Sequence, residues 1–171
     1  RTPIGDAPPD ALADASRERR DGPEYQVELM PLWRDNPDRA GPDGPYYGFD
    51  HVKFANGHAD LVPGHYTKWL NDRAGGDGAA LRGAKNALPA PGLVAPQAWR
   101  TAVPEALYPT AYIAEESRAF IDAHLDERPD DPFFLHCSFT DPHHPFTPPG
   151  KYFDMYDPDD MPLPPSFAAR D

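Results

Sequence analysis

Proline sets its own φ, offers no N–H and biases the residue before it away from helix. This chain carries 24 prolines in 171 residues. Against a usual share of about 5%, that density leaves few windows in which a helix or strand can run, and a chain dominated by loops and turns is expected. An apolar fraction of 39% points the same way. A self-contained doubly wound domain of this length needs more strand-length apolar runs than occur here, so the sequence reads as one piece of a larger fold.

Periodicity assigns the elements between the turns. Asp10–Arg20 reads as a short exposed helix, with Asp10 and Asp14 ahead of Arg17, Arg19 and Arg20 in the order the helix dipole favours. Tyr25–Met30 alternates like a strand until Pro31 ends it, and residues 34–48 are rich in turn formers. Phe49–Phe54 is a second strand candidate, with Val52 and Phe54 inward, His51 and Lys53 outward, and Asn56-Gly57 turning the chain afterwards. Tyr66, Trp69 and Leu70 fall at helical spacing and lay an aromatic face on something. Residues 73–104 show no sustained period and are expected to form a loop-rich insertion, with Trp99 as its anchor. Thr110–Glu127 is the clearest helix: Ile113, Ser117, Phe120, Ile121 and His124 share a stripe, Thr110 suits the N-cap and Pro129 lies just past the end.

A third strand is expected at Phe133–Phe139, long enough and aromatic enough to be buried. Asp141-Pro142 must end it, because proline cannot give a ladder its N–H. His143 and His144 follow at once, then Pro145. In an open α/β sheet, ligands bind just beyond the carboxyl ends of strands, which makes this histidine pair a candidate site. A surface turn with two solvated histidines fits the same residues.

Other polar groups carry less. His58, Asp60 and His65 lie within eight residues and invite a metal site, but their spacing matches no ligand pattern, and a solvated or pocket-rim role fits better. His124 reads as an amphipathic boundary residue rather than a ligand. Asp154, Asp157, Asp159 and Asp160 lack EF-hand spacing and read as turn-forming carboxylates in an extended arm. Cys137, the single cysteine, excludes an internal disulfide; inside an apolar strand it is expected to pack as a small buried hydrophobe. The net charge of −12 has no basic stripe within it, which argues against nucleic acid. No apolar run approaches the ~20 residues of a membrane helix.

The apolar run, the P-H-x-P of Pro142–Pro145, and the downstream Pro148-Pro149-Gly150-Lys151-Tyr152 through Pro164 together resemble the middle of a sulfatase, within the alkaline-phosphatase-like superfamily. Gly5-Asp6, Gly48-Phe49-Asp50, Gly64-His65-Tyr66 with Trp69-Leu70, and Tyr108–Asp122 agree with it. The resemblance implies an α/β fold, a partial α/β/α sandwich with many Pro-rich loops, with residues 1–171 forming an internal part of one catalytic domain. It implies hydrolysis of a small-molecule or carbohydrate sulfate ester by a formylglycine nucleophile and a divalent metal, Ca2+ or Mg2+. On this chain it maps His143 as the group meeting the sulfate or leaving-group oxygen and acting as acid. His144, in the variable position, is implied only as a substrate-binding rim residue.

The chain departs from the family pattern where the chemistry would start. Formylglycine comes from C-x-P-x-R, yet Cys137 is followed by Ser138, Phe139, Thr140 and Asp141. Nothing like G-K-x-H is present, and the resemblance puts the metal-holding D-D and D-N or D-H motifs outside this chain, so the expected metal ligands within it are none, and the 171 residues alone are expected to be inactive. A phosphomonoester or phosphonate monoester hydrolase of the same superfamily, and a non-catalytic binding relic of the fold, fit the same residues.

Overall fold

A computed structural model describes residues 48–168 together with Pro31 and Trp33. The expected helix Asp10–Arg20 and strand Tyr25–Met30 lie outside the described residues.

The core forms where two helices meet. Helix α1 spans His65–Arg73 and buries Tyr66, Thr67, Trp69 and Leu70. Gly64 precedes it at φ +92°, and a Cβ there would lie 2.2 Å from the Phe54 carbonyl oxygen, so only glycine allows the entry. Helix α2 spans Pro109–Glu127. Its first turn places Pro109 at N1, where a missing N–H costs nothing. The N-cap is therefore Tyr108 rather than the expected Thr110, whose hydroxyl donates instead to Asp141 Oδ2 at 3.4 Å. Tyr112 and Ile113 of α2 pack on Tyr66, Trp69 and Leu70 of α1 and on Val62. Each such side chain, fully buried, contributes about 1.5–3 kcal/mol. Polar contacts fix the crossing: Trp69 Nε1 donates to Glu115 Oε1 at 3.1 Å, and the same oxygen takes an Arg73 N–H at 2.5 Å.

Residues 73–104 are not structureless. Asp77 caps a 3-10 turn at Gly78–Leu81, and Asn86 donates to the carbonyls of Ala79 and Arg82. Leu88 and Arg100 then form an antiparallel bridge. Short-range side-chain-to-backbone bonds replace the apolar period that was missing from the sequence.

The sandwich expectation needs correction among the described residues, which are helical with isolated bridges and no sheet. Phe133–Phe139 forms no regular element and joins no bridge, and Phe134 is 75% exposed. A strand is satisfied only when a neighbour takes its N–H and C=O groups, and among the described residues no backbone pairs with this one. One side of it is covered: Phe133 contacts Phe120 and His124, with ring centroids 5.8 and 4.8 Å apart, and Phe134 contacts Phe49 at 6.0 Å. Cys137 is exposed, not buried as expected, and accepts from Ser117 Oγ at 3.1 Å. At Phe49–Phe54 the inward and outward alternation holds, with Val52 and Phe54 half-buried and His51 and Lys53 exposed, but among the described residues no ladder pairs with it.

Candidate functional site: two histidine loops joined at a buried aspartate

His58 stands just before a 3-10 turn, Ala59–Leu61, that puts Asp60 at full burial. An ionised carboxylate is tolerated there only if donors surround it. Asp60 Oδ2 accepts from Thr101 Oγ1 at 2.7 Å, Trp99 Nε1 at 2.9 Å and the Gly83 N–H at 3.1 Å. The Asp60 carbonyl accepts from Arg82 Nε at 2.6 Å, and the same guanidinium donates to the Val62 carbonyl. One aspartate thus gathers four segments far apart in sequence. Trp99 is an anchor, as expected, and Asp60 is what it holds.

The loop of His143 is tied to the same knot at both ends. Its far end is Thr147, whose Oγ1 accepts the Asp60 N–H at 3.2 Å and lies 2.9 Å from the Tyr108 hydroxyl. Its near end is Asp141, whose Oδ1 accepts from Tyr108 at 3.4 Å. A phenol has one proton, so if it goes to Asp141, Thr147 donates to Tyr108, and a hydrogen-bond chain runs from the Asp60 amide to the Asp141 carboxylate. The backbone adds a parallel bridge, with Phe146 N–H donating to Gln97 O at 2.8 Å and Trp99 N–H to Phe146 O at 3.1 Å. Burial holds the Asp141 carboxyl above its ordinary range, against the hydrogen bonds of Tyr108 and Thr110 and the charge of His58, which pull it down. Burial likewise pushes the Tyr108 hydroxyl up.

Held this way, the loop displays both predicted histidines to solvent. His143 Nδ1 lies 2.5 Å from the His144 carbonyl oxygen. A carbonyl only accepts, so the Nδ1 carries the proton, and Nε2 is the ring atom left to meet a ligand. The His144 ring sits 4.2 Å from that of His143 and tilted by 40°. The His58 ring lies flat on His143, with centroids 3.6 Å apart and planes 11° from parallel.

The metal trio of His58, Asp60 and His65 does not converge, and the solvated or pocket-rim role preferred for it needs correction at Asp60, which is fully buried because protein donors replace water around it. Asp60 is turned into the knot, and His65 Nδ1 accepts the Phe54 N–H at 2.7 Å, so both face protein donors. His124 is buried at the end of α2, where its Nε2 donates to Asp131 O at 2.8 Å, a structural tie. Asp157 closes its own turn by accepting the Asp159 N–H at 2.9 Å, and Asp154 takes Arg100 at 2.8 Å. Among the described residues no group of three or more His, Cys, Asp or Glu side chains is placed to hold a metal ion. The described residues therefore do not fit the Ca2+ or Mg2+ site of the resemblance, and Cys137 lacks the sequence that formylglycine requires. Among the same residues no helix is long and apolar enough to cross a membrane.

Spacing in the sequence gave no route to Thr101 or Thr147 as partners of Asp60, or to Tyr108 behind Thr147. The signal that existed was a lone Asp beside a tryptophan-bearing loop, and it has no fixed offset.

No family model matches the chain, and no solved structure matches it. An arylsulfatase of Clostridium perfringens (strain 13 / Type A) is 47% identical to it over 60 residues, covering 35% of this chain and 12% of that protein. The chain thus matches about one-eighth of that relative's length. Over that stretch the similarity supports a sulfatase relationship.

Proposed function

We propose that this chain supplies the histidine loop of a sulfate-ester hydrolase, acting on a small-molecule or carbohydrate sulfate, and that His143 meets the ester oxygens. The observation that carries this reading is the fixed His143 ring: its Nδ1 proton is engaged by the His144 carbonyl while the ring stands exposed. The partial identity to an arylsulfatase favours sulfate as the ester. When charged, His143 donates its Nε2–H to the departing oxygen; when neutral, the same atom accepts a proton while Nδ1 stays tied. His144, beside it, forms the rim.

In this reading the rest of the α/β/α sandwich, the formylglycine nucleophile and the ligands of a Ca2+ or Mg2+ ion belong to sequence outside these 171 residues. The test is the coding DNA on either side. C-x-P-x-R and G-K-x-H upstream, with D-N or D-H downstream, are expected; stop codons close to both ends leave the non-catalytic relic instead. In a protein carrying those motifs, His143→Ala lowers kcat on aryl sulfates by about 10²–10⁴, the usual worth of a positioned acid or base. Unchanged kinetics removes His143 from the reaction. The 171 residues alone show no aryl-sulfate turnover.

A further inference from the structure

The proposed reading uses His143 and leaves His58 without a task, although the two rings are stacked at 3.6 Å and 11°. We propose that His58 is a positioning residue for His143: its ring covers one face of the His143 imidazole and holds Nε2 edge-on to an incoming oxyanion.

Three features support it. First, the stack joins two loops 85 residues apart, 143 against 58, and both loops are pinned at Asp60, one through its own turn and one through Thr147. The rings therefore meet because the backbones are fixed, not because two exposed side chains chanced together. Second, the Nδ1 bond to His144 O sets the ring at one edge only. A flat partner on the face removes the remaining rotation about that bond. Third, the electrostatics favour one charge on the pair. His58 is faced by His143, His144 and Asp141; burial and the two histidines hold its proton affinity below the ordinary value, while Asp141 opposes them weakly. Two stacked imidazolium rings repel, so a proton on His143 disfavours one on His58, whose ring then covers His143 as a flat, uncharged face.

This inference rests on the sulfatase reading for its purpose but not for its test. The experiment follows histidine ring nitrogens by NMR in the whole chain, in wild type and in His58→Ala, His58→Phe and His143→Ala. Both side chains are exposed, so the variants are expected to fold, and the α2 amide spectrum checks it. In His143→Ala, the His58 titration midpoint rises, at least a twofold gain in proton affinity. In His58→Ala, the fixed Nδ1–H signature of His143 collapses towards tautomer averaging, and the flat ring of His58→Phe restores it. An unmoved His58 midpoint, or a His143 signature identical in wild type and His58→Ala, overturns the proposal. Coupling between the rings with unchanged aryl-sulfate kinetics for His143→Ala in the motif-bearing protein keeps the stacking and sinks the sulfatase reading. Lost turnover in that variant without coupling does the reverse.

Discussion

Two regions flank α2, and they are held by opposite means. On one side, residues 58–62, 82–83, 97–108 and 141–147 are tied by hydrogen bonds that converge on Asp60. On the other, residues 48–55 and 132–138 line a groove of about 870 Å3 along α2, with Phe49, Phe133 and Phe134 exposed into it. The first region reads as loop from its sequence and is tightly anchored. The second reads as strand, yet among the described residues its stretch 133–139 joins no bridge. Apolar content makes a strand only when another backbone completes it, whereas a buried carboxylate organises loops by itself, since every donor it draws in is costly to leave unpaired.

Predictions that would break or sharpen this contrast run from large to small. Asp60→Ala strands the buried donors of Trp99, Thr101 and Gly83, each costing about 1–3 kcal/mol when unpaired. A loss of at least about 3 kcal/mol in urea unfolding is expected, a large share of the roughly 5–15 kcal/mol typical of a domain. A loss under about 1 kcal/mol would show that the knot does not hold the fold. Thr147→Val keeps the shape but removes the acceptor of the Asp60 N–H and the link to Tyr108. It should lower stability by about 1–2 kcal/mol and broaden the His143 ring signals without altering those of His124.

The pH dependence at Asp141 is smaller. Burial raises its carboxyl above the ordinary 3.8, so the folded chain binds this proton more tightly than the unfolded one. From this group, stability falls as pH rises from 3.8 through the raised folded value, and the destabilisation is absent below 3.8. Asp141→Asn removes that slope. Its stability relative to wild type should therefore be more favourable at pH 7 than at pH 3.5, by under about 1 kcal/mol because the side chain is only half-buried. An equal difference at both pH values contradicts the assignment. Least affected is the groove: Phe134→Ser, at a side chain 75% exposed, should change stability by less than about 0.5 kcal/mol while reducing self-association in light scattering.

Legibility in the sequence follows the range of the forces. Helix α1 was readable because Tyr66, Trp69 and Leu70 repeat at helical spacing, and all three are buried. Helix α2 was readable from its stripe, yet Tyr112, which completes the core, lies beside Ile113 rather than on the stripe chosen. The turn-forming role of Asp157 was local and also visible. Asp60 was not: its partners at Gly83, Trp99, Thr101 and Thr147 have no periodicity to betray them. The burial expected at Phe133–Phe139 depended on neighbours that composition cannot supply. His143 and His144 were placed in an exposed turn by their prolines, but the stacking of His58 on His143 came only with the fold.

Residue-resolved amide hydrogen exchange tests most directly the claim that the Asp60 knot, not the apolar run, carries the histidine loop. The account predicts that the N–H groups of Asp60, Gly83, Trp99 and Phe146 exchange about as slowly as the interior of α2, while residues 133–139 exchange almost unprotected. Strong protection across 133–139 with rapid exchange at Asp60 and Phe146 would contradict it: the loop would then hang from a strand.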